Sequence, residues 1–67
     1  MDGMLLLRLR DCERSTRLGM VDQGFPEKMR QLAAMGYVRK IGRGHQTTPS
    51  GSAFLADPEI KVRLKRM

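Results

Sequence analysis

The chain has 67 residues with 13 Lys or Arg and 7 Asp or Glu, a formal net charge of +6. One domain with one core is the expectation for this length, and a domain this small buries only ~60% of its unfolded surface, so a partner subunit or a nucleic acid would add stability. With 40% apolar and 30% charged residues the composition excludes a disordered chain, and a single cysteine, Cys12, excludes an intrachain disulfide framework.

The spacing of Leu5, Leu6, Leu9 and Cys12 predicts a first helix over Gly3 to Arg14, with Arg8, Asp11 and Glu13 on its charged side. The alternation Leu7-Arg8-Leu9-Arg10 leaves a strand open as the alternative. The apolar run at Met4 to Leu7 is too short for a secretory leader and nothing approaches a membrane span, so a cytoplasmic location without membrane contact is expected.

Ser15 reads as the cap of a short second helix from Thr16 to Gln23, with Leu18 and Val21 inward, Met20 at the edge and Gly24 as its stop. Phe25-Pro26 opens a third helix: proline at the first helical position loses no needed hydrogen bond, and Glu27 suits the positive end of the dipole. Met29, Leu32 and Ala33 point inward, Glu27, Lys28, Arg30, Gln31 and Ala34 outward, and Gly36 ends the helix with Tyr37 folding back on Leu32.

Tyr37 to Ile41 favours a strand, Gly42-Arg43-Gly44 a tight turn, and His45 to Thr48 an antiparallel return. Thr48 caps a further short helix with Pro49 at its first position, which folds Ala53, Phe54 and Leu55 onto the core. Residues 1–56 thus form the domain and 57–67 a basic tail. The tail reads as a helix capped by Asp57, although Ile60, Val62 and Leu64 alternate as in a strand. Its four cations are either a solvated terminus or part of a binding surface.

Charge is concentrated late in the chain. Residues 28–67 carry nine Lys or Arg against Asp57 and Glu59, whereas residues 1–27 are close to neutral. A polyanion is the natural partner of such a stretch.

The succession Leu32-x-x-Met35-Gly36-Tyr37-Val38-Arg39-Lys40, Gly42-Arg43-Gly44 and Thr48-Pro49-x-Gly51-x-x-x-Leu55 resembles the second half of winged helix-turn-helix DNA-binding regulators of the MarR-like and related bacterial classes. Residues 26–55 carry the resemblance. It implies a mainly α fold with a small β-hairpin: three helices, a two-stranded wing and a short C-terminal helix. It also implies a role in transcription regulation. Long added helices for dimerisation or an effector pocket have no counterpart here, so no small-molecule ligand or cofactor is expected.

A major groove admits a helix fixed on one side to a core and presenting donors and acceptors on the other. In that reading Arg30 and Gln31 contact base edges and Lys28 a phosphate, or else Arg30 pairs with Glu27. Gly42 and Gly44 let the backbone approach phosphates, and Arg43 between them would enter a minor groove, the alternative being a plain turn with a solvated arginine. Of Arg39 and Lys40 one would face DNA, with His45 and Gln46 as weaker contacts.

The expected partner is double-stranded DNA, bound by a homodimer or beside a larger protein. The alternative is a winged-helix module docking on an acidic partner protein, with structured RNA as a third possibility. Lone His45, lone Cys12 and scattered acids provide no metal set and no paired nucleophile, so no catalysis is expected.

Overall fold

The computed structural model describes residues 1–67 and contains α1 (Gly3–Arg17), α2 (Pro26–Ala34), β1 (Val38–Ile41), β2 (Gly44–Thr47), α3 (Pro49–Ala56) and α4 (Pro58–Lys65). It is mainly α with one antiparallel hairpin, in which Val38 faces Thr47, Arg39 Gln46, Lys40 His45 and Ile41 Gly44.

The first segment is a helix, not a strand. Asp2 caps it by accepting the Leu5 N–H at 2.9 Å, a bond that also holds the Asp2 carboxyl below the ordinary carboxylate range. Leu5, Leu6, Leu9 and Cys12 are buried, as their spacing predicts. Leu5, Leu9 and Cys12 form one cluster with Met29 and Leu32 of α2 and Val38 of β1. Each fully buried aliphatic side chain of this kind contributes ~1.5–3 kcal/mol by leaving water.

The predicted helix from Thr16 to Gln23 does not form. Ser15 starts nothing; α1 runs through it to Arg17, and the Thr16 hydroxyl donates back to the Cys12 carbonyl and accepts the Thr47 N–H, both at 2.9 Å. Gly19, at φ +74°, then stops the helix, with Met20 N–H bonded to Ser15 O and Gly19 N–H to Thr16 O. The chain continues extended, and Asp22 exchanges both backbone hydrogen bonds with His45, adding a bridge to the outer edge of β2. Leu18, expected inside, is exposed, as is Met20, expected at the helix edge, while Val21 is half-buried. Two helices joined by an extended connector, residues 18–25, therefore replace the expected three-helix first half.

Helix α2 starts and stops where its signals lie. Pro26 is its first residue and Gly36, at φ +83°, ends it, with Tyr37 N–H bonded to Leu32 O and Gly36 N–H to Ala33 O. In the hairpin, Gly42 at φ +59° takes the first central position of a two-residue turn, as a type II′ turn requires.

Thr48 caps α3 by accepting the Gly51 N–H at 3.1 Å, and its hydroxyl also donates to Gly36 O. Gly51 is buried directly against the Tyr37 carbonyl, where a Cβ would clash, and Phe54 stacks on Tyr37 with ring centroids 4.7 Å apart. Leu55 also packs on the core, while Ala53 is exposed, contrary to expectation. The tail is helical: Asp57 accepts the Glu59 N–H at 2.8 Å, and α4 packs on α3 while Arg63 donates to the Met1 carbonyl. No helix is long and apolar enough to cross a membrane.

Candidate nucleic-acid interface

Helix α2 is fixed by one face. Met29 and Leu32 are fully buried and Ala33 is half-buried, which places Gln31 and Glu27 opposite the core, with Arg30 on one flank and Lys28 on the other. Arg30 and Gln31 are exposed. Lys28 is half-buried on the flank that meets Asp2, whose carboxyl it helps to lower, so it is not on the outer face its sequence position suggested. Glu27 makes no ion pair with Arg30.

The start of α2 is held in an unusual way. Phe25 adopts φ 53° and ψ 59°, a left-handed conformation that costs a non-glycine residue ~1–3 kcal/mol, and it precedes a proline, where extended backbone is preferred. The Arg8 guanidinium lies 4.1 Å above the Phe25 ring, so α1 braces the connector where α2 begins. Asp11 in turn pairs with Arg8 at 3.5 Å and with Arg10 at 3.1 Å.

The hairpin divides its polar residues between two faces. Arg39, Lys40 and Arg43 are exposed and none is in an ion pair; Arg43 sits at the turn, and strand alternation sends Arg39 and Lys40 to opposite sides. Three residues predicted to face DNA are used internally instead. His45 is buried, because its register with Asp22 and its packing on α1 turn it inward, and the Cys12 thiol donates to its carbonyl at 3.6 Å. Desolvation, with Lys40 nearby, lowers the His45 pKa, against the opposing pull of Asp22.

Gln46 donates its side-chain N–H to the Met20 carbonyl at 3.0 Å, clamping the connector. Gly44 is buried against Val21 and Asp22, so its missing Cβ serves strand packing and not approach to a phosphate.

The interior holds a polar pair that hydropathy misplaced. Glu13, read as part of the charged side of α1, is buried: its Oε1 accepts the Thr47 hydroxyl at 2.8 Å, and its Oε2 has no partner. Beside it, a groove of about 250 Å³ opens between α1 and the α3–α4 pair, with Arg10, Arg14, Arg17 and Lys61 among its lining residues. The sequence carried a signal for this surface in the helical spacing of Arg10, Arg14 and Arg17. No cluster of His, Cys, Asp and Glu is placed to hold a metal ion.

Comparison with protein-family models, with curated proteins and with solved structures gave no match. The class that the fold defines is a small helical domain with one antiparallel hairpin, four helices in all.

Proposed function

We propose that this protein binds double-stranded DNA as a small transcription regulator of winged-helix type, with α2 in the major groove and the hairpin turn against the flanking backbone or minor groove. The observation that carries the reading is the exposure, free of ion pairs, of Arg30 on a core-anchored helix and of Arg39, Lys40 and Arg43 on the hairpin that follows it. Gln31 beside Arg30 adds a side chain able to make paired hydrogen bonds to a base edge. His45 and Gln46 have no part in it.

Fluorescence anisotropy with labelled duplexes over a salt series tests this. The logarithm of affinity should fall linearly with that of salt, and Arg43→Ala should reduce the slope by about one. Arg30→Ala should cost ~1–3 kcal/mol on a selected site and relax its preference. Binding that ignores salt, or is unchanged in both variants, overturns the reading.

A second reading, docking on a partner protein, is favoured by Leu18, Met20 and Phe25, which expose 75%, 58% and 53% of their surface along one connector. A complex that survives nuclease treatment and is lost in Leu18→Ser/Met20→Ser, from a protein that shifts no DNA, would support it.

A further inference from the structure

The groove between α1 and the α3–α4 pair lies on the flank of α1 turned away from the start of α2. Arg10, Arg14 and Arg17 project within about 60° of one another around α1, whereas Arg8, which reaches Phe25, projects about 160° from Arg10. Helix α4 brings Lys61 to the same groove, and α3 brings the Ser52 hydroxyl.

The charge that this groove shows to solvent is positive. Arg14 and Lys61 are exposed and in no ion pair, and Arg17, with 78% of its side chain exposed, has only a 4.0 Å contact with Glu13. Arg10 is committed to Asp11. Glu13 is the one acid in the lining, and it is closed off: one oxygen accepts the Thr47 hydroxyl and the other is sealed from solvent.

Uncompensated cations on two elements suit a partner that releases condensed counterions when it binds, which is the property of a phosphodiester backbone. A protein partner needs large side chains free to be buried in the contact, and the leucines of the lining, Leu55 and Leu64, are already half-buried against the fold.

We propose that the groove grips the backbone of a second duplex, so that one chain joins two DNA segments. One segment lies on α2 and the hairpin, the other on Arg14, Arg17 and Lys61, with Ser52 adding a phosphate contact. The joining rests on the duplex binding proposed above. Two separate segments fit better than one wrapped around the domain, whose longest dimension is 32 Å, because a duplex resists bending over lengths far below its persistence length of about 50 nm.

The test is capture of a fluorescent duplex by the whole chain bound to a bead-tethered duplex, with native mass spectrometry to count the chains. The parent should capture the second duplex as one chain with two duplexes. Arg14→Gln/Arg17→Gln/Lys61→Gln, all at exposed positions, should lower capture at least about tenfold and bind the tethered duplex within about twofold of the parent. Arg14→Gln alone should reduce the salt slope of capture by about one. Arg14→Lys/Arg17→Lys should retain capture, since a backbone phosphate requires the charge.

A parent that holds only one duplex overturns the proposal, and the variants then say which face failed. The groove has failed if Arg30→Ala/Arg43→Ala alone releases that duplex; α2 and the hairpin have failed if the groove variant alone releases it. Undiminished capture by the groove variant, or two chains in every captured complex, would also overturn it. Displacement of the second duplex by poly-glutamate as readily as by unlabelled DNA would do so too, and would assign the groove to an acidic protein.

Discussion

The Thr47 hydroxyl donates to Glu13 Oε1 at 2.8 Å, joining β2 to α1 across the interior. The contact spans 34 residues of sequence and is supported by a second, from the Thr47 N–H to the Thr16 hydroxyl at 2.9 Å. Together they fix the hairpin to the first helix by polar bonds in a region where a purely apolar contact would leave the register of β2 free.

Replacing Thr47 by valine keeps the shape and removes the donor. Glu13 is then buried with neither oxygen satisfied by a neutral donor, and the expected loss is ~1–3 kcal/mol in urea denaturation. Thr47→Ser should retain most of the stability. If the valine variant matched the parent, the bond would be contributing nothing.

Gly51 sits where a Cβ would meet the Tyr37 carbonyl, which is already committed to the Thr48 N–H at 3.0 Å. Gly51→Ala must therefore push α3 away from the Tyr37 backbone and disturb the Tyr37–Phe54 stack. A destabilisation of at least ~1–3 kcal/mol is expected, against within ~0.5 kcal/mol for the neighbouring exposed Ser50→Ala. Thermal unfolding of the two variants side by side distinguishes a packing requirement from a mere preference for glycine.

His45 couples stability to pH. Burial lowers its folded pKa below the ordinary 6.5, so the unfolded chain takes up the proton more readily. Its contribution is complete above about pH 6.5 and is lost as the pH falls from there through the folded pKa. Urea midpoints measured from about pH 8 to about pH 5 should decline in the parent and decline less in His45→Gln. Asp2, with its lowered pKa, titrates below its ordinary 3.8 and stays out of that window.

Cys12 is fully buried, and desolvation, reinforced by Asp22, pushes its thiol up from 9.0 to about 11. The thiolate is the reactive form, so the shift alone slows alkylation about 100-fold, before burial is counted. Iodoacetamide should modify the native protein only at the rate at which it opens, and the urea-unfolded protein quickly. Equal rates in the two states would contradict the packing of α1 against β2.

The elements that the sequence determined by itself are those fixed by local chemistry. Asp57-Pro58 and Thr48-Pro49 each combine a side-chain acceptor with a residue that needs no N–H donor, and Gly36 and Gly42 occupy left-handed positions open to few other residues. The buried stripe of α1 was legible for the same reason, because one helix period accounts for Leu5, Leu9 and Cys12. On the proposed DNA-facing surface, Arg30, Gln31 and Arg43 lie where local pattern put them, since exposed ends of a core-anchored helix and of a tight turn follow from short-range geometry.

Only the tertiary structure decided the remainder. Thr16 to Gln23 carried a cap, an apolar spacing and a stop, yet the free edge of β2 takes Asp22 as a strand partner, and two backbone hydrogen bonds with His45 replace a helix weakened by Gly19. The same pairing buries His45 and commits the half-buried Gln46 side chain to the Met20 carbonyl. Glu13 is inside because a threonine distant in sequence arrives with a donor, a circumstance no periodicity can encode.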